Sequence, residues 1–307
     1  MKILFMGTPD IAASCLQALI DAKMDVVGAV SQPDRPKGRG HKLMPTEVKE
    51  TALDAGIPVY QPESLKNGEL MPILEELKPD VIAVVAYGKI LPAYIIDYPK
   101  YGCINVHASL LPKLRGAAPI QWSVINGDEK TGITTMLMDY GLDTGDMLLV
   151  EELTIGEYET SEELFERMAE AGGKLLVKTI NEIENITPIP QDHESFTYAP
   201  MISKEMAHID WSKTTNEISK LICGMNSWPM AFAYYKGEPF KIISAVKGDA
   251  VSGENGQIIE FDKEKGLRVK TCDGSIYITV AQFPNSRRMT VDEYLRGHSI
   301  EFGTILN

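Results

Sequence analysis

Two polar residues stand two positions apart at the end of a predicted strand. Asn105 and His107 close the apolar run that begins at Gly102, and residues i and i+2 of a strand point to the same face of a sheet. Open α/β sheets bind their ligands at the carboxyl ends of the strands. The spacing therefore predicts that an amide and an imidazole enter one cleft, although the same pair could instead only hydrogen-bond neighbouring loops.

A third candidate, Asp143, lies in the glycine-rich segment Met138–Gly145, which follows another predicted strand. Asp139 and Asp146 are close to it in the chain, and three neighbouring carboxylates can form a metal site. Their spacing does not match a calcium-binding loop, and acidic residues are common in turns. Metal-ligand and redox spacing is also absent from the cysteines, Cys15, Cys103, Cys223 and Cys272. We therefore expect no metal and reduced thiols.

Two apolar segments follow predicted strands and could line a pocket. The first is Ser109, Leu110, Leu111 and Pro112, which forms either a simple turn or the wall of a ligand pocket. The second is Tyr87–Pro92, in which Ile90 and Leu91 either line an apolar pocket or cap the sheet.

The segment Gln32–Pro45 shows neither helical nor strand periodicity and is predicted to be a long loop. It has a single acidic residue, Asp34, against four cations, Arg35, Lys37, Arg39 and Lys42. The segment is either a solvated loop or an arm that reaches a polyanion, and a loop of this length in a compact domain is usually functional or disordered. The surrounding charge favours the arm, because the four cations lie within residues 1–200, which carry the whole net charge of −13. Residues 201–307 have no net charge.

The elements that position these residues alternate between buried strands and helices, which predicts a doubly wound, mostly parallel α/β sheet. The predicted strands are Lys2–Met6, Met24–Ser31, Val81–Ala86, Gly102–His107, Ile133–Met138 and Met147–Leu153. The predicted helices are Ile11–Asp21, Thr46–Ala55, Glu69–Leu77, Pro119–Asn126 and Ser161–Asn185, with Ser161 as an N-cap. The turn Gly7–Asp10 lacks the G-x-G-x-x-G pattern of dinucleotide-binding folds. It is predicted to be structural, with Thr8 as the N-cap and Pro9 at the first helical position, and this argues against a nicotinamide-linked dehydrogenase.

A change in composition divides the chain in two. Residues 1–186 are predicted to form the first domain, the proline-containing residues 187–206 a linker, and residues 207–307 a small second domain. In this second domain, one helix precedes five short strands, which predicts an OB-like barrel. Since the longest apolar stretch is far shorter than a membrane span and the N-terminal apolar run is short for a signal peptide, we expect a soluble cytoplasmic protein.

Several motifs together resemble one family. The segments GTPD, QPDRPKGRG, VVAYGKILP, INVHASLLPKLRGAAPIQ, MDYGLDTGDML and NSWPM are similar, in order and spacing, to those of the methionyl-tRNA formyltransferases. The resemblance implies a folate-binding Rossmann-like domain and a C-terminal OB-like barrel. It also implies transfer of a formyl group from 10-formyltetrahydrofolate to the amino group of methionyl initiator tRNA. We expect the enzyme to be a monomer.

The resemblance assigns roles to individual residues. The family's catalytic residues fall on Asn105, His107 and Asp143, and its tetrahydrofolate-binding motif falls on residues 109–112, with Ile90 and Leu91 nearby. Its tRNA-contacting loop falls on Gln32–Pro45, with Arg39 at the key basic position. Two alternatives stay open at this stage. One is a related formyltransferase acting on a purine precursor or an amino sugar, and the other is a non-catalytic RNA-binding module.

Overall fold

The structure is a computed structural model that describes residues 1–37 and 42–307. Its strands are β1 (Lys2–Gly7), β2 (Asp25–Val30), β3 (Arg35–Lys37), β4 (Lys42–Met44), β5 (Val59–Tyr60), β6 (Val81–Val85), β7 (Cys103–His107), β8 (Arg115–Gly116), β9 (Lys130–Leu137), β10 (Met147–Thr154), β11 (Tyr198–Ala199), β12 (Phe232–Tyr235), β13 (Glu238–Gly248), β14 (Ile258–Asp262), β15 (Gly266–Lys270), β16 (Ser275–Gln282) and β17 (Met289–Thr290). Its α-helices are α1 (Asp10–Asp21), α2 (Glu47–Asp54), α3 (Met71–Leu77), α4 (Ala93–Ile96), α5 (Pro119–Ile125), α6 (Ser161–Glu182), α7 (Thr215–Gly224) and α8 (Val291–Leu295). Two short 3₁₀-helices cover Lys66–Gly68 and Glu205–Ala207.

The first compact unit comprises Met1–Gly116, Thr131–Leu153 and Phe165–Ala199. Its seven-stranded sheet has the order β10-β9-β7-β6-β1-β2-β5. The pairings β7–β6, β6–β1, β1–β2 and β2–β5 are parallel, and β9 is antiparallel to β7. The predicted mostly parallel α/β sheet is therefore confirmed.

Continuous burial of the central strands explains their unbroken apolar runs. All five residues of β6 are buried, as are five of the six residues of β1. Helices cover a parallel sheet on both of its faces, so neither side of these strands meets water. One core cluster of this unit packs β1 and β6 against α3 and α4, through Leu4, Met6, Leu74, Ile82, Val84, Ile95 and their neighbours.

Two helix starts differ from the sequence-based predictions. Helix α1 begins at Asp10 with Pro9 as its N-cap, and no side chain caps it. The Thr8 hydroxyl instead donates to the Tyr87 carbonyl at 3.2 Å. At α6, Thr160 rather than Ser161 caps the helix, because its hydroxyl accepts from the Glu163 amide at 3.2 Å while Glu163 Oε2 accepts from the Thr160 amide.

Part of the basic segment is a β-hairpin, although the sequence predicted an irregular loop. Strands β3 and β4 pair antiparallel, with Arg35 opposite Met44 and Lys37 opposite Lys42. Each strand has only three residues, which is too short for a two-residue periodicity to show in the sequence. Residues 38–41, which include Arg39, lie outside the described residues.

The second compact unit comprises Ala117–Lys130, Thr154–Leu164 and Pro200–Asn307. Its six-stranded sheet has the order β12-β13-β16-β15-β14, with β17 paired to β16. The pairings are antiparallel, and all five predicted short strands are present. Helix α7 begins with a capping box in which Thr214 and Glu217 satisfy each other's backbone amides. The unit has its own core, centred on residues such as Trp211, Ile222, Phe240, Val269 and Ile278.

The segment that the sequence predicted as a linker is partly ordered against the first unit. Strand β11 lies within it and pairs parallel with β8, with Tyr198 opposite Arg115. Gln191, also in this segment, is 4% exposed. The chain passes between the two compact units at five points, and the last of these falls between Ala199 and Pro200. Among the helices of the described ranges, none has both the length and the apolar composition that crossing a bilayer requires.

The burial of the thiols predicts their reactivity. Burial raises the pKa of Cys15 and of Cys103 to about 12, and it also raises the pKa of Cys223, whereas Cys272 is exposed. Because the thiolate is the reactive form, a maleimide at pH 7.5 should label one cysteine of the native protein. Mass spectrometry of peptides should locate that label on Cys272. Labelling of the native Cys272→Ser variant at the same rate would contradict this prediction.

Candidate active site

Strand β7 brings Asn105 and His107 to the carboxyl end of the sheet, as the sequence predicted. Its register places Asn105 opposite Met136 and His107 opposite Thr134 of β9. The His107 side chain is 6% exposed, whereas Asn105 is only partly buried. Among the described residues, none hydrogen-bonds the Asn105 carboxamide. The amide is therefore free to bind a ligand.

One backbone carbonyl fixes the orientation and the proton of the His107 ring. Nε2 lies 3.0 Å from the carbonyl oxygen of Leu114. Because a carbonyl oxygen can only accept, Nε2 must carry a hydrogen and donate it. The other ring nitrogen, Nδ1, lies 3.7 Å from Asp143 Oδ2. That separation is long for a direct hydrogen bond, but it is within ion-pair range when the imidazole is protonated.

Asp143 is held in a backbone conformation that is uncommon for residues other than glycine, although aspartate adopts it more often than most. Its φ angle is +52°, in the left-handed region that disfavours side chains other than glycine. Its Oδ2 accepts a hydrogen bond from the Gly116 amide at 2.8 Å. Gly116 itself has φ +116°, and a Cβ there would lie 2.7 Å from the Ala199 carbonyl oxygen. Only glycine therefore brings this amide to the carboxylate.

The rest of the Asp143 loop is built from internal contacts. Asp139 Oδ1 accepts from the Gly141 amide at 3.0 Å and from the Thr144 hydroxyl at 2.6 Å. A Cβ on Gly145 would lie 1.8 Å from the Leu137 carbonyl oxygen, so the loop closes tightly onto the end of β9. Asp139 thus has a structural role. In residues 1–37 and 42–307, no group of three or more His, Cys, Asp or Glu side chains is placed to hold a metal ion.

The Ser109–Pro112 turn is fixed to the neighbouring strand. The Thr134 hydroxyl donates to the Ser109 carbonyl at 2.7 Å and accepts from the Leu111 amide at 3.2 Å. The Ser109 hydroxyl donates to the Lys113 carbonyl at 2.6 Å. Ser109 and Leu111 are buried, and Leu110 is partly buried. The turn is therefore a rigid edge beside His107.

The two apolar residues after β6 have different environments. Ile90 is 91% exposed, so its side chain is available to a ligand. Leu91 is 4% exposed and packs in the core cluster of the unit. Of the two predicted roles, pocket lining and capping of the sheet, its position therefore fits the capping role. Lys89 lies in the chain between β6 and Ile90. Its side chain is held in place, because its ammonium donates to the Pro62 and Glu63 carbonyls.

The base of the basic hairpin is anchored by Asp34. Its carboxylate accepts from Gln61 Nε2 at 2.6 Å and pairs with Lys49 Nζ at 2.6 Å. The Gln61 hydrogen bond, with that from Lys49, holds the pKa of Asp34 below its usual value. The one acidic residue of the segment is thus neutralised by a lysine from outside it. Arg35 is exposed. For Lys37 and Lys42 only the backbone is described.

Sequence reasoning missed two residues that contact the candidate site. Gln191 donates to the carbonyls of Asp143 and Gly145, at 2.9 and 2.7 Å. Arg115 is 5% exposed and donates to Gln191 Oε1. No periodicity or motif marks Gln191, because it lies 48 residues from Asp143 in a segment without regular structure.

Two protein-family models match most of the chain. One described as formyl transferase matches residues 1–180, and one described as the C-terminal domain of formyl transferase matches residues 201–299. The chain belongs to the formyl transferase family. The methionyl-tRNA formyltransferase of Alkaliphilus oremlandii is 51% identical to this formyl transferase over 309 residues, covering 100% of this chain and 99% of the relative. That of Clostridioides difficile is 48% identical over 309 residues and covers 100% of both chains.

Solved structures share the fold of this formyl transferase at low sequence identity. HypX from Aquifex aeolicus in complex with tetrahydrofolic acid matches with a TM-score of 0.62 and 17% identity, over 99% of this chain and 50% of HypX. The N-formyltransferase from Helicobacter canadensis, solved with folinic acid and dTDP-3-aminofucose, matches with a TM-score of 0.67 and 18% identity, over 94% of this chain and 100% of that one. At these identities the likeness shows the fold alone.

Two buried threonines of β9 allow a matched test of the turn in this formyl transferase. Thr134→Val removes the hydroxyl that serves both Ser109 and Leu111. Leaving a buried polar group unpaired costs about 1–3 kcal/mol, so urea denaturation should show a free energy of unfolding lower by roughly that amount.

Thr131→Val is the control for that variant. The Thr131 hydroxyl is buried and, among the described residues, has no hydrogen-bond partner. Its removal should leave the free energy of unfolding unchanged or raise it. Equal destabilisation by the two substitutions would show that the Thr134 contacts do not hold the turn.

Proposed function

We propose that this formyl transferase moves the formyl group of 10-formyltetrahydrofolate to the amino group of methionyl initiator tRNA. The observation that carries the proposal is the full-length agreement, at about half of all positions, with enzymes named for that activity. The family match supports 10-formyltetrahydrofolate as the formyl donor. The site adds the side chains that such a transfer needs.

The reaction requires stabilisation of one oxyanion and movement of protons. The amino nitrogen attacks the formyl carbon, a new N–C bond forms, and the formyl oxygen takes up negative charge. When this intermediate collapses, the bond to the folate nitrogen breaks, that nitrogen takes a proton, and the amine loses one. Hydrogen-bond donors aimed at such an oxygen are each worth about 3–4 kcal/mol.

Asn105 and His107 supply those donors. The Asn105 carboxamide has no hydrogen bond to another described residue and lies on the same face of β7 as His107. Since Nε2 of His107 is committed to the Leu114 carbonyl, only Nδ1 remains for the reacting groups. A protonated imidazole donates to the oxyanion from that atom.

Asp143 accepts the proton of the attacking amine, directly or through one water. Its carboxylate is 14% exposed and lies 3.7 Å from His107 Nδ1, so the proton acceptor stands beside the oxyanion donor. Proton transfer by a positioned side chain contributes roughly 10²–10⁴ in rate. The proton that Asp143 takes from the amine passes to the departing folate nitrogen, directly or through solvent, so the proton movements balance, and no step requires a metal ion or a covalent enzyme intermediate.

The folate cosubstrate is assigned to Ser109, Leu110, Leu111, Pro112, Ile90 and Leu91. The turn at residues 109–112 is held rigidly beside His107 by Thr134, and Ile90 presents an exposed apolar side chain. Because the Leu91 side chain packs in the core, its contribution is to support the segment that carries Ile90.

The tRNA is assigned to the basic segment, through Arg35, Lys37, Arg39 and Lys42, and to the second domain. We take residues 1–186 as the folate-binding catalytic domain, 187–206 as the connecting segment, and 207–307 as an OB-like tRNA-binding domain. The antiparallel order of β12–β16 and the zero net charge of residues 201–307 support this part. We further propose that the enzyme works as a monomer, in the cytoplasm where initiator tRNA is used.

The catalytic assignment predicts large losses from small changes. Asn105→Ala removes an oxyanion donor and Asp143→Asn removes the proton acceptor, so each should lower kcat at least ~100-fold. The measurement is transfer of labelled formyl to methionyl initiator tRNA. Asp54→Asn, at the exposed end of α2, is the control and should keep full activity.

Circular dichroism melts should show that the two catalytic variants remain folded. If either folded variant keeps near-wild-type kcat, its assignment is wrong. The wild-type protein tested with an amino sugar nucleotide and an amino purine precursor tests the related formyltransferase alternative. Faster transfer to one of those amines than to methionyl initiator tRNA would overturn the proposed substrate.

Arg39 tests the tRNA assignment of the basic segment. Arg39→Ala should raise KM for methionyl initiator tRNA while leaving KM for the folate unchanged, because a phosphate contact serves only the tRNA. The logarithm of tRNA affinity falls linearly with the logarithm of salt concentration, and each lost phosphate contact should make this negative slope shallower by about 0.7–0.9. Lys66→Ala, an exposed lysine of the same unit, should change neither. An equal rise of both KM values in Arg39→Ala would refute a tRNA-specific role.

A further inference from the structure

The Gln191 carboxamide joins the Asp143 loop to a buried guanidinium. Its Nε2 donates to the Asp143 carbonyl at 2.9 Å and to the Gly145 carbonyl at 2.7 Å. Its Oε1 accepts from Arg115 Nε at 3.1 Å and from Arg115 Nη2 at 2.7 Å. Both N–H donors of the carboxamide and both acceptor sites of its oxygen are therefore used, on the Asp143 loop and on Arg115 respectively.

Arg115 fixes which way this carboxamide points. The guanidinium has only donors, so it must face Oε1, and Nε2 is thereby directed at the Asp143 loop. Arg115 is 5% exposed, and no carboxylate among the described residues forms a salt bridge with it. Its other contacts are His193 Nδ1 at 3.2 Å and the Phe196 ring at 5.1 Å. Gln191 is thus the principal acceptor for a buried charge.

The two carbonyls that Gln191 binds flank the strained part of the loop. Asp143 has φ +52°, and left-handed backbone at a residue other than glycine persists only when the surroundings enforce it. Two hydrogen bonds, one at Asp143 and one two residues later, enforce it here. The carboxylate reaches the Gly116 amide and faces His107 Nδ1 in that conformation.

We propose that Gln191 is a positioning residue that holds Asp143 in its catalytic orientation, with Arg115 setting the direction of the Gln191 carboxamide. The proposal deepens the formyl-transfer function and rests on it. Gln191 touches neither reacting group, so its effect on the rate passes through Asp143. Misplacement of a catalytic group by about 1 Å can cost roughly 100-fold in rate.

Gln191→Glu separates the two contacts. A carboxylate at this position still binds Arg115, but it places an oxygen against the Asp143 and Gly145 carbonyls, where Nε2 had donated. We expect kcat for formyl transfer to fall roughly 10- to 100-fold, with the KM values for folate and tRNA changed less than about threefold. Glu194→Gln, the reverse change at an exposed residue of the same segment, should leave both parameters unchanged.

Coupling to Asp143 distinguishes positioning from a general structural role. In the Asp143→Asn background, Gln191→Glu should lower the remaining rate less than about threefold, because the group it positions is already absent. The same fold-loss in both backgrounds, or no loss in the otherwise wild-type protein, would overturn the proposal. Gln191→Asn, which keeps the amide but shortens its reach, replaces Gln191→Glu if the latter does not fold.

A measurement on the resting protein decides the case independently of activity. The Gly116 amide donates to Asp143 Oδ2, so its proton resonance in glycine-labelled protein reports whether the carboxylate is in place. We expect an upfield shift of this resonance in Gln191→Glu, in the same direction as in Asp143→Asn, and none in Glu194→Gln. An unmoved Gly116 resonance would overturn the proposal, whereas a wild-type protein unable to transfer formyl would instead refute the proposed function.

Discussion

The hydrogen bond from His107 Nε2 to the Leu114 carbonyl is the constraint on which the site depends. It fixes the ring orientation and leaves Nδ1 as the only nitrogen that can meet Asp143 or a reacting group. If the ring were turned by 180°, carbon atoms would take the places of Nε2 and Nδ1, so the Leu114 carbonyl would lose its donor and Asp143 would face a carbon. The chemistry proposed for this formyl transferase therefore follows from one backbone oxygen, held by a residue whose own φ is +57°.

One segment of the chain, residues 191–199, supports both sides of this arrangement. The Thr197 hydroxyl accepts from the Leu114 amide at 2.9 Å, which fixes the residue whose carbonyl orients His107. Pairing of β11 with β8 places the Gly116 amide against Asp143. Gln191 holds the Asp143 loop from the other end. The first family model ends at residue 180, so these supports come from beyond the part of the chain that it matches.

Strand-level features were predictable from the sequence, whereas the supporting contacts were not. The apolar run ending in Asn105 and His107 predicts their shared face, because side chains alternate along a strand. The left-handed conformation of Asp143 leaves no such signal, because residue type alone does not show which aspartates adopt it. Gln191 contacts Asp143 although the two residues are 48 positions apart in the chain. Periodicity reports only local structure, so it does not predict a side-chain contact at that sequence separation. The hairpin β3–β4 was missed because three-residue strands are too short to show alternation.

The most direct measurement is the nitrogen-15 NMR spectrum of histidine-labelled protein, recorded across pH with His107 assigned through a His107→Gln variant. We predict that the neutral His107 ring carries its proton on Nε2. The same sample should transfer formyl to methionyl initiator tRNA. A neutral His107 that carries its proton on Nδ1 would contradict the account, because Nε2 would then be unable to donate to Leu114 and the site would need a different ring orientation.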